Sequence, residues 1–301
     1  MSLWVALLLG CRACQPEATP APGDSDTDGG PGDTDLQETD VPPPRCDVIG
    51  AEPDSTTSLG VLPLEALACG EFANPGDVDW WQVDLAEPDW LSLRVSARAI
   101  GSRADPAVVV FHDGSPIAAL RDREQDEDVY LRIPGEVATY TLFVTEELLA
   151  GAPEEFKYEL LASATKPPVD SWDVDDLEPN DGALAAQSLP SAPIVRAMGR
   201  SDHPGDVDVW RIDVPAGEKT DFIVRVIASA KGSPGDFRVD VQDGTGVVRA
   251  SASEGSHGGE RDPVVNVTSE GDESLFVFVR DELDGDGVCY WYVLEVERAV
   301  Q

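Results

Sequence analysis

The side chains in this sequence with most capacity for chemistry are carboxylates, and they recur in one pattern. Pro75-Gly76-Asp77-Val78-Asp79 is written again as Pro204-Gly205-Asp206-Val207-Asp208. Each copy runs into an alternating stretch, Trp81, Val83 and Leu85 in the first and Trp210, Ile212 and Val214 in the second. Side chains two apart on an extended strand share a face, so Asp79 and Asp208 aim toward the apolar side. A carboxylate buried bare is costly and must find donors or a cation. Two answers are open: the acids cap backbone N–H groups of a neighbouring loop, or they hold calcium, which takes six to eight oxygen ligands. In the second copy the candidate ligands are Glu178, Asn180, Asp181, Asp206 and Asp208. In the first they are Glu52, Asp54, Asp77 and Asp79.

Both copies must be positioned by strands. Trp90 to Val95, Ala107 to Phe111, Val129 to Ile133, Tyr140 to Val144 and Phe156 to Leu161 are short alternating or apolar runs in the first repeat. Asp221 to Ala228, Phe237 to Gln242, Val264 to Val267, Leu275 to Val279 and Tyr290 to Val296 follow in the second. Gly, Pro and Asp punctuate them, and helical periodicity is missing, which predicts antiparallel sandwiches. Landmarks recur in order: Asp105 with Asp236, Asp113-Gly114 with Asp243-Gly244, Phe143-Val144 with Phe278-Val279, Tyr158 with Tyr292. A long-period repeat of this kind means two domains of one fold. The boundaries read as 46–165 and 176–301, joined by a Pro- and Asp-rich linker, 166–175. Trp172 in that linker is expected to pin one domain to the other.

Glu178-Pro179-Asn180-Asp181, then Ala183, Leu184 and Leu189, then Gly-Asp-Val-Asp-x-Trp and a late Tyr-x-Leu resemble the bacterial pre-peptidase C-terminal domain. The first repeat carries Glu52-Pro53-Asp54 at the corresponding place. The resemblance implies a jelly-roll-like antiparallel β-sandwich in each repeat, of the kind appended to exported peptidases. Relatives include collagen-binding modules of collagenases, in which acids of these two motifs hold calcium. Family members carry these domains beside a catalytic domain, and the two repeats leave no room for one here.

Leu3 to Leu9 form an apolar run far shorter than the roughly 20 residues of a membrane span. It ends Leu8-Leu9-Gly10-Cys11, which resembles a lipoprotein signal, implying cleavage after residue 10 and lipidation of Cys11; an ordinary secretory signal is the other reading. Residues 11–45 are rich in Pro, Gly, Asp and Thr and read as a disordered tether. Cys46 and Cys69 are the couple expected to form a disulfide in an oxidising compartment, contributing about 3 kcal/mol on a chain-entropy argument. Cys289, assigned to the last strand, reads as a buried core thiol.

Acidic residues outnumber basic ones 58 to 21 in 301 residues, a formal charge of −37. That charge repels a phosphate backbone, so nucleic acid is not an expected partner. His112, His203 and His257 stand singly, without the spacing of a zinc hydrolase, and no Gly-x-Ser-x-Gly elbow exists. The expectation is a non-catalytic, exported surface module that reaches the membrane through its lipid anchor only. It would bind an extracellular protein or polysaccharide, or act as a spacer; the alternative is an accessory or degenerate component of an extracellular peptidase or polysaccharide-degrading system. Trp80, Tyr290 and Trp291 are candidate ligand-face aromatics, with packing between the domains as the competing role.

Overall fold

The structure is a computed structural model that describes residues 46–49, 59–121, 128–152, 155–217, 219–253, 262–283, 285–287 and 289–300. Cys11, the signal and tether, Glu52 and Asp54 lie outside these residues. The described chain is built almost wholly of strands, arranged as two β-sandwiches. In the first, β1 (Val48–Ile49), β3 (Leu67–Glu71), β10 (Lys157–Thr165), β5 (Asp89–Ser96) and β8 (Val129–Gly135) make one sheet in that order. Its partner runs β2 (Gly60–Val61), β4 (Val78–Leu85), β9 (Ala138–Glu146), β6 (Pro106–His112) and β7 (Ser115–Arg121).

Ten more strands repeat the plan. One sheet is β11 (Val174–Asp175), β13 (Ile194–Arg200), β20 (Trp291–Val300), β15 (Thr220–Ile227) and β18 (Val264–Ser269). The other is β12 (Gln187–Ser188), β14 (Asp208–Val214), β19 (Glu273–Asp281), β16 (Phe237–Asp243) and β17 (Val248–Ser253). Adding ten to each label of the first sandwich gives the second. All pairings are antiparallel except those of the two-residue strands β1, β2, β11 and β12, which add in parallel at the edges. Even the irregularities recur. A bulge falls at Val110/Phe111 and at Val241/Gln242. A short 3₁₀ turn follows β5 and β15, closed by Gly101 and Gly232 at positive φ.

Alternation sorts the side chains. Along β4, Asp79, Trp81, Val83 and Leu85 are buried, and along β14, Asp208, Trp210, Ile212 and Val214. Gly70 of β3 lies opposite Tyr158 of β10, and Gly199 of β13 opposite Tyr292 of β20. A Cβ on either glycine would sit 2.4 or 2.3 Å from the tyrosine ring. These glycines weaken their strands, yet each makes room for an aromatic ring lying flat over the backbone.

The sandwiches meet in a packed joint. Trp291 is 2% exposed and stands edge-on to Trp90, ring centroids 5.0 Å apart. Its indole N–H donates to the Arg132 carbonyl at 2.7 Å, and the Arg132 N–H donates to the Gly232 carbonyl at 2.6 Å. Cys289, with Tyr290 against it, completes the first sandwich's core rather than the second's. This corrects two expectations. Cys289 precedes the last strand instead of lying in it, and Tyr290 and Trp291 serve the joint, not a ligand face. The indole N–H of Trp172 donates to Asp175 at 2.7 Å, within the second repeat.

Two substitutions test this arrangement. Gly199→Ala, whose methyl group meets the Tyr292 ring, is expected to lower unfolding stability by at least about 1–3 kcal/mol in denaturant titration. Trp291→Ala removes the wedge of the joint, a loss of about 3–5 kcal/mol. Calorimetry should then resolve the two sandwiches as separate transitions.

Candidate functional site

Each repeated motif divides its work between its two acids. Gly76 and Gly205, at φ 80° and 78°, turn the chain so that Asp77 and Asp206 fold back on their own loop. Asp77 accepts from the Ala73 N–H at 2.7 Å and the Val78 N–H at 2.9 Å. Asp206 accepts from the Asp202 N–H at 2.6 Å through Oδ2. These are loop caps. The second acid of each motif does something the sequence reading did not weigh: it receives a tyrosine hydroxyl. Trp81 Nε1 donates to Tyr158 Oη (2.9 Å), which donates to Asp79 (2.5 Å). Trp210 Nε1 donates to Tyr292 Oη (2.8 Å), which donates to Asp208 Oδ2 (2.6 Å).

In the second sandwich the segment after β11 closes over Asp208. Asn180, fully buried, does not offer its oxygen to a cluster. It donates Nδ2 to Asp176 Oδ1 at 2.5 Å and accepts the Val209 N–H at 3.3 Å. Glu178 accepts the Asn180 N–H through Oε2 at 3.0 Å. The five expected ligands therefore separate. Carboxylate oxygens of Asp176, Glu178 and Asp208 lie within 4.8 Å of one another, and Asp181, His203 and Asp206 form a second trio on the same criterion. Asp176 was missed. Its alternation with Glu178 and Asn180 in an extended segment was the available signal.

The inner trio is electrically unbalanced. Asp176 Oδ2 and Asp208 Oδ1 are buried and accept no hydrogen bond from a neighbouring donor. Among the described residues no Lys or Arg pairs with any of the three acids. Burial first, and the Asp176 carboxyl next, push the Asp208 carboxyl up to about 10. Burial likewise raises Asp176 to about 6, with the Glu178 charge adding to the rise and the hydrogen bond from Asp208 opposing it. Both carboxyls are therefore easier to protonate than an exposed acid when nothing else neutralises the site. Among the described residues only the second sandwich gathers such a trio; strand register aligns Val48–Ile49 with Val174–Asp175, so the sequence has Gly50 where the second repeat has Asp176.

Trp80 points outward from the first sandwich but is half-buried, packed between Phe111 and Phe143 with centroids 5.7 and 4.9 Å away. In the second sandwich register places Val209, Gln242 and Phe278 at these positions, and Asp240 replaces Val109 beside them. Asp240 is bonded there to Arg238 and Ser251.

No protein-family model and no curated protein matches this chain. Among solved structures it is similar to the pre-peptidase C-terminal domain of a Bacillus anthracis collagenase, at 13% identity and TM-score 0.29 over 38% of this chain and all of that one. It is similar also to the CUB1-EGF-CUB2 region of human MASP-1/3, at 10% identity and TM-score 0.24 over 77% of this chain and 99% of that one. A Eubacterium rectale protein described as secreted gives 8% identity and TM-score 0.28 over 83% and 81%. None of the three bears on what this chain binds.

The raised carboxyls fix a pH dependence. The folded state holds these protons more tightly than the unfolded chain, whose carboxylates titrate near 3.8. Their contribution is therefore complete below that value and is lost as pH rises through about 6 for Asp176 and toward about 10 for Asp208. In chelator the melting temperature is expected to fall between about pH 5 and 8. Asp208→Asn, neutral at every pH and still able to accept from Tyr292, should flatten that slope and melt higher than the parent at the alkaline end.

Proposed function

We propose that this chain is an exported surface protein, lipidated at Cys11, whose two sandwiches form a non-catalytic binding or spacer module organised by calcium at the second sandwich. The observation that carries the reading is the trio of Asp176, Glu178 and Asp208, in which Asp208 is buried, Asp176 half-buried and Glu178 exposed. Three acids gathered without a basic partner need either protons or a cation. The donors are all oxygen, two of them buried atoms with no hydrogen bond to satisfy them. That is the donor set of a hard cation. Calcium there would take over the neutralising work of the Asp208 proton and tie the segment after β11 to β14. The disulfide between Cys46 and Cys69 supports an oxidising, extracytoplasmic compartment. Among the described residues no helix is long and apolar enough to cross a membrane, and the lipid at Cys11 would supply the attachment.

The titration of calcium into the chelator-treated full-length protein tests this. Calcium at a hundredfold excess over Kd should add about 2.7 kcal/mol of stability by mass action, visible as a higher melting temperature. Asp208→Asn and Asp176→Asn should each abolish the rise, and Asp77→Asn in the first sandwich should not. A parent protein that melts at the same temperature with calcium and with chelator overturns the calcium reading.

A further inference from the structure

The outer trio has a different chemistry from the inner one. We infer that Asp181, His203 and Asp206 form a site for a borderline divalent metal of the zinc class, separate from the all-oxygen site beside it. His203 and Asp206 belong to the loop before β14, and Asp181 reaches them from the segment after β11. His203 Nε2 lies 3.6 Å from Asp206 Oδ1 and 4.0 Å from Asp181 Oδ1. Ligands of a four-coordinate zinc ion stand about 3.4 Å apart, so small side-chain shifts bring His203 to ligand spacing with either acid, and the ligand oxygens of the two acids already lie within 4.8 Å of one another. A water would take the fourth position.

Two further observations point to a ligand. Asp206 is 3% exposed, its Oδ2 is engaged by the Asp202 N–H, and its Oδ1 is a buried oxygen that accepts no hydrogen bond. His203 Nδ1 lies 3.4 Å from the Pro204 carbonyl. Donation from Nδ1 to that carbonyl leaves a lone pair on Nε2, the nitrogen that faces both acids. A ring N–H given to a backbone carbonyl is the usual way in which a metal-binding imidazole is held in one tautomer. Calcium has little use for a nitrogen donor, whereas imidazole suits zinc. The first sandwich supplies an internal contrast: its matching turn has Asn74 at the His203 position.

Zinc chloride titrated calorimetrically into the full-length protein, with free thiols first blocked by iodoacetamide, reads the site directly. One equivalent should bind. His203→Asn, which installs the residue of the first sandwich on a well-exposed side chain, should weaken zinc at least tenfold while leaving the calcium-dependent rise in melting temperature intact. Absence of zinc binding overturns the inference, as does equal affinity in parent and His203→Asn. So does zinc binding that survives His203→Asn and disappears in Asp208→Asn, since the inner trio would then be holding it. Failure of the calcium reading has its own signature, a parent protein without a calcium response, and does not depend on His203.

Discussion

Each sandwich is organised about a short chain of hydrogen bonds at the centre of its core: indole to phenol to carboxylate. The tryptophan and the acid come from one sheet, β4 or β14, and the tyrosine from the other, β10 or β20. The chain therefore ties the two layers together through polar groups that would be costly to leave unsatisfied in an apolar interior. It also dictates its surroundings. The tyrosine ring must lie across the neighbouring strand, so that strand has glycine at Gly70 or Gly199. The acid must sit two residues before the tryptophan on the same face, so the loop ahead of it needs a tight turn, supplied by Gly76 or Gly205 and sealed by Asp77 or Asp206. Much of the repeated motif follows from positioning one carboxylate under one phenol.

On this shared skeleton the two sandwiches carry different surfaces of charge. The second gathers Asp176 and Glu178 around Asp208 and sets His203 over Asp206. The first has Gly50 and Asn74 in the sequence at two of those positions. The outer face of the β4 sheet diverges in the opposite direction. Trp80, Val109 and Phe111 are apolar in the first sandwich, where the second has Val209, Asp240 and Gln242, with Asp240 held by Arg238. Duplication has preserved the parts that close the core, while the parts facing outward have been free to differ.

The fold was legible because alternation and a repeated motif are local properties. Long apolar strands such as β5, β15 and β16 announced themselves, and the inward aim of Asp79 and Asp208 followed from parity alone. Besides the two-residue edge strands, those that escaped notice were β3, β7, β13 and β17, which carry Ala, Ser or Gly among their apolar residues. Gly199 reads as a breaker until the Tyr292 ring is seen to occupy the space of its missing side chain. Tyr158 and Tyr292 were visible as landmarks, but their role as donors depends on a crossing between sheets that spacing does not encode. The same holds for His203. It has Asp206 in its own loop and gains Asp181 only when the segment after β11 folds against the loop before β14. Trp291 has the parity of a surface residue, opposite to Tyr292, and becomes interior through the second sandwich's contact with the first.

That contact joins unlike surfaces: the β5–β8 side of one sandwich receives the start of β20 from the other. A head-to-tail contact between two copies of a fold can in principle repeat without end. Here it stops after one step. The wedge Trp291 corresponds by register to Lys157 in the first sandwich, so the first has nothing to insert into a preceding copy. Its receptor Trp90 corresponds to Asp221 in the second, so the second offers a following copy a carboxylate instead of a ring. At both ends of the pair a charge stands where the joint uses an aromatic, so neither sandwich presents this wedge or this receptor a second time.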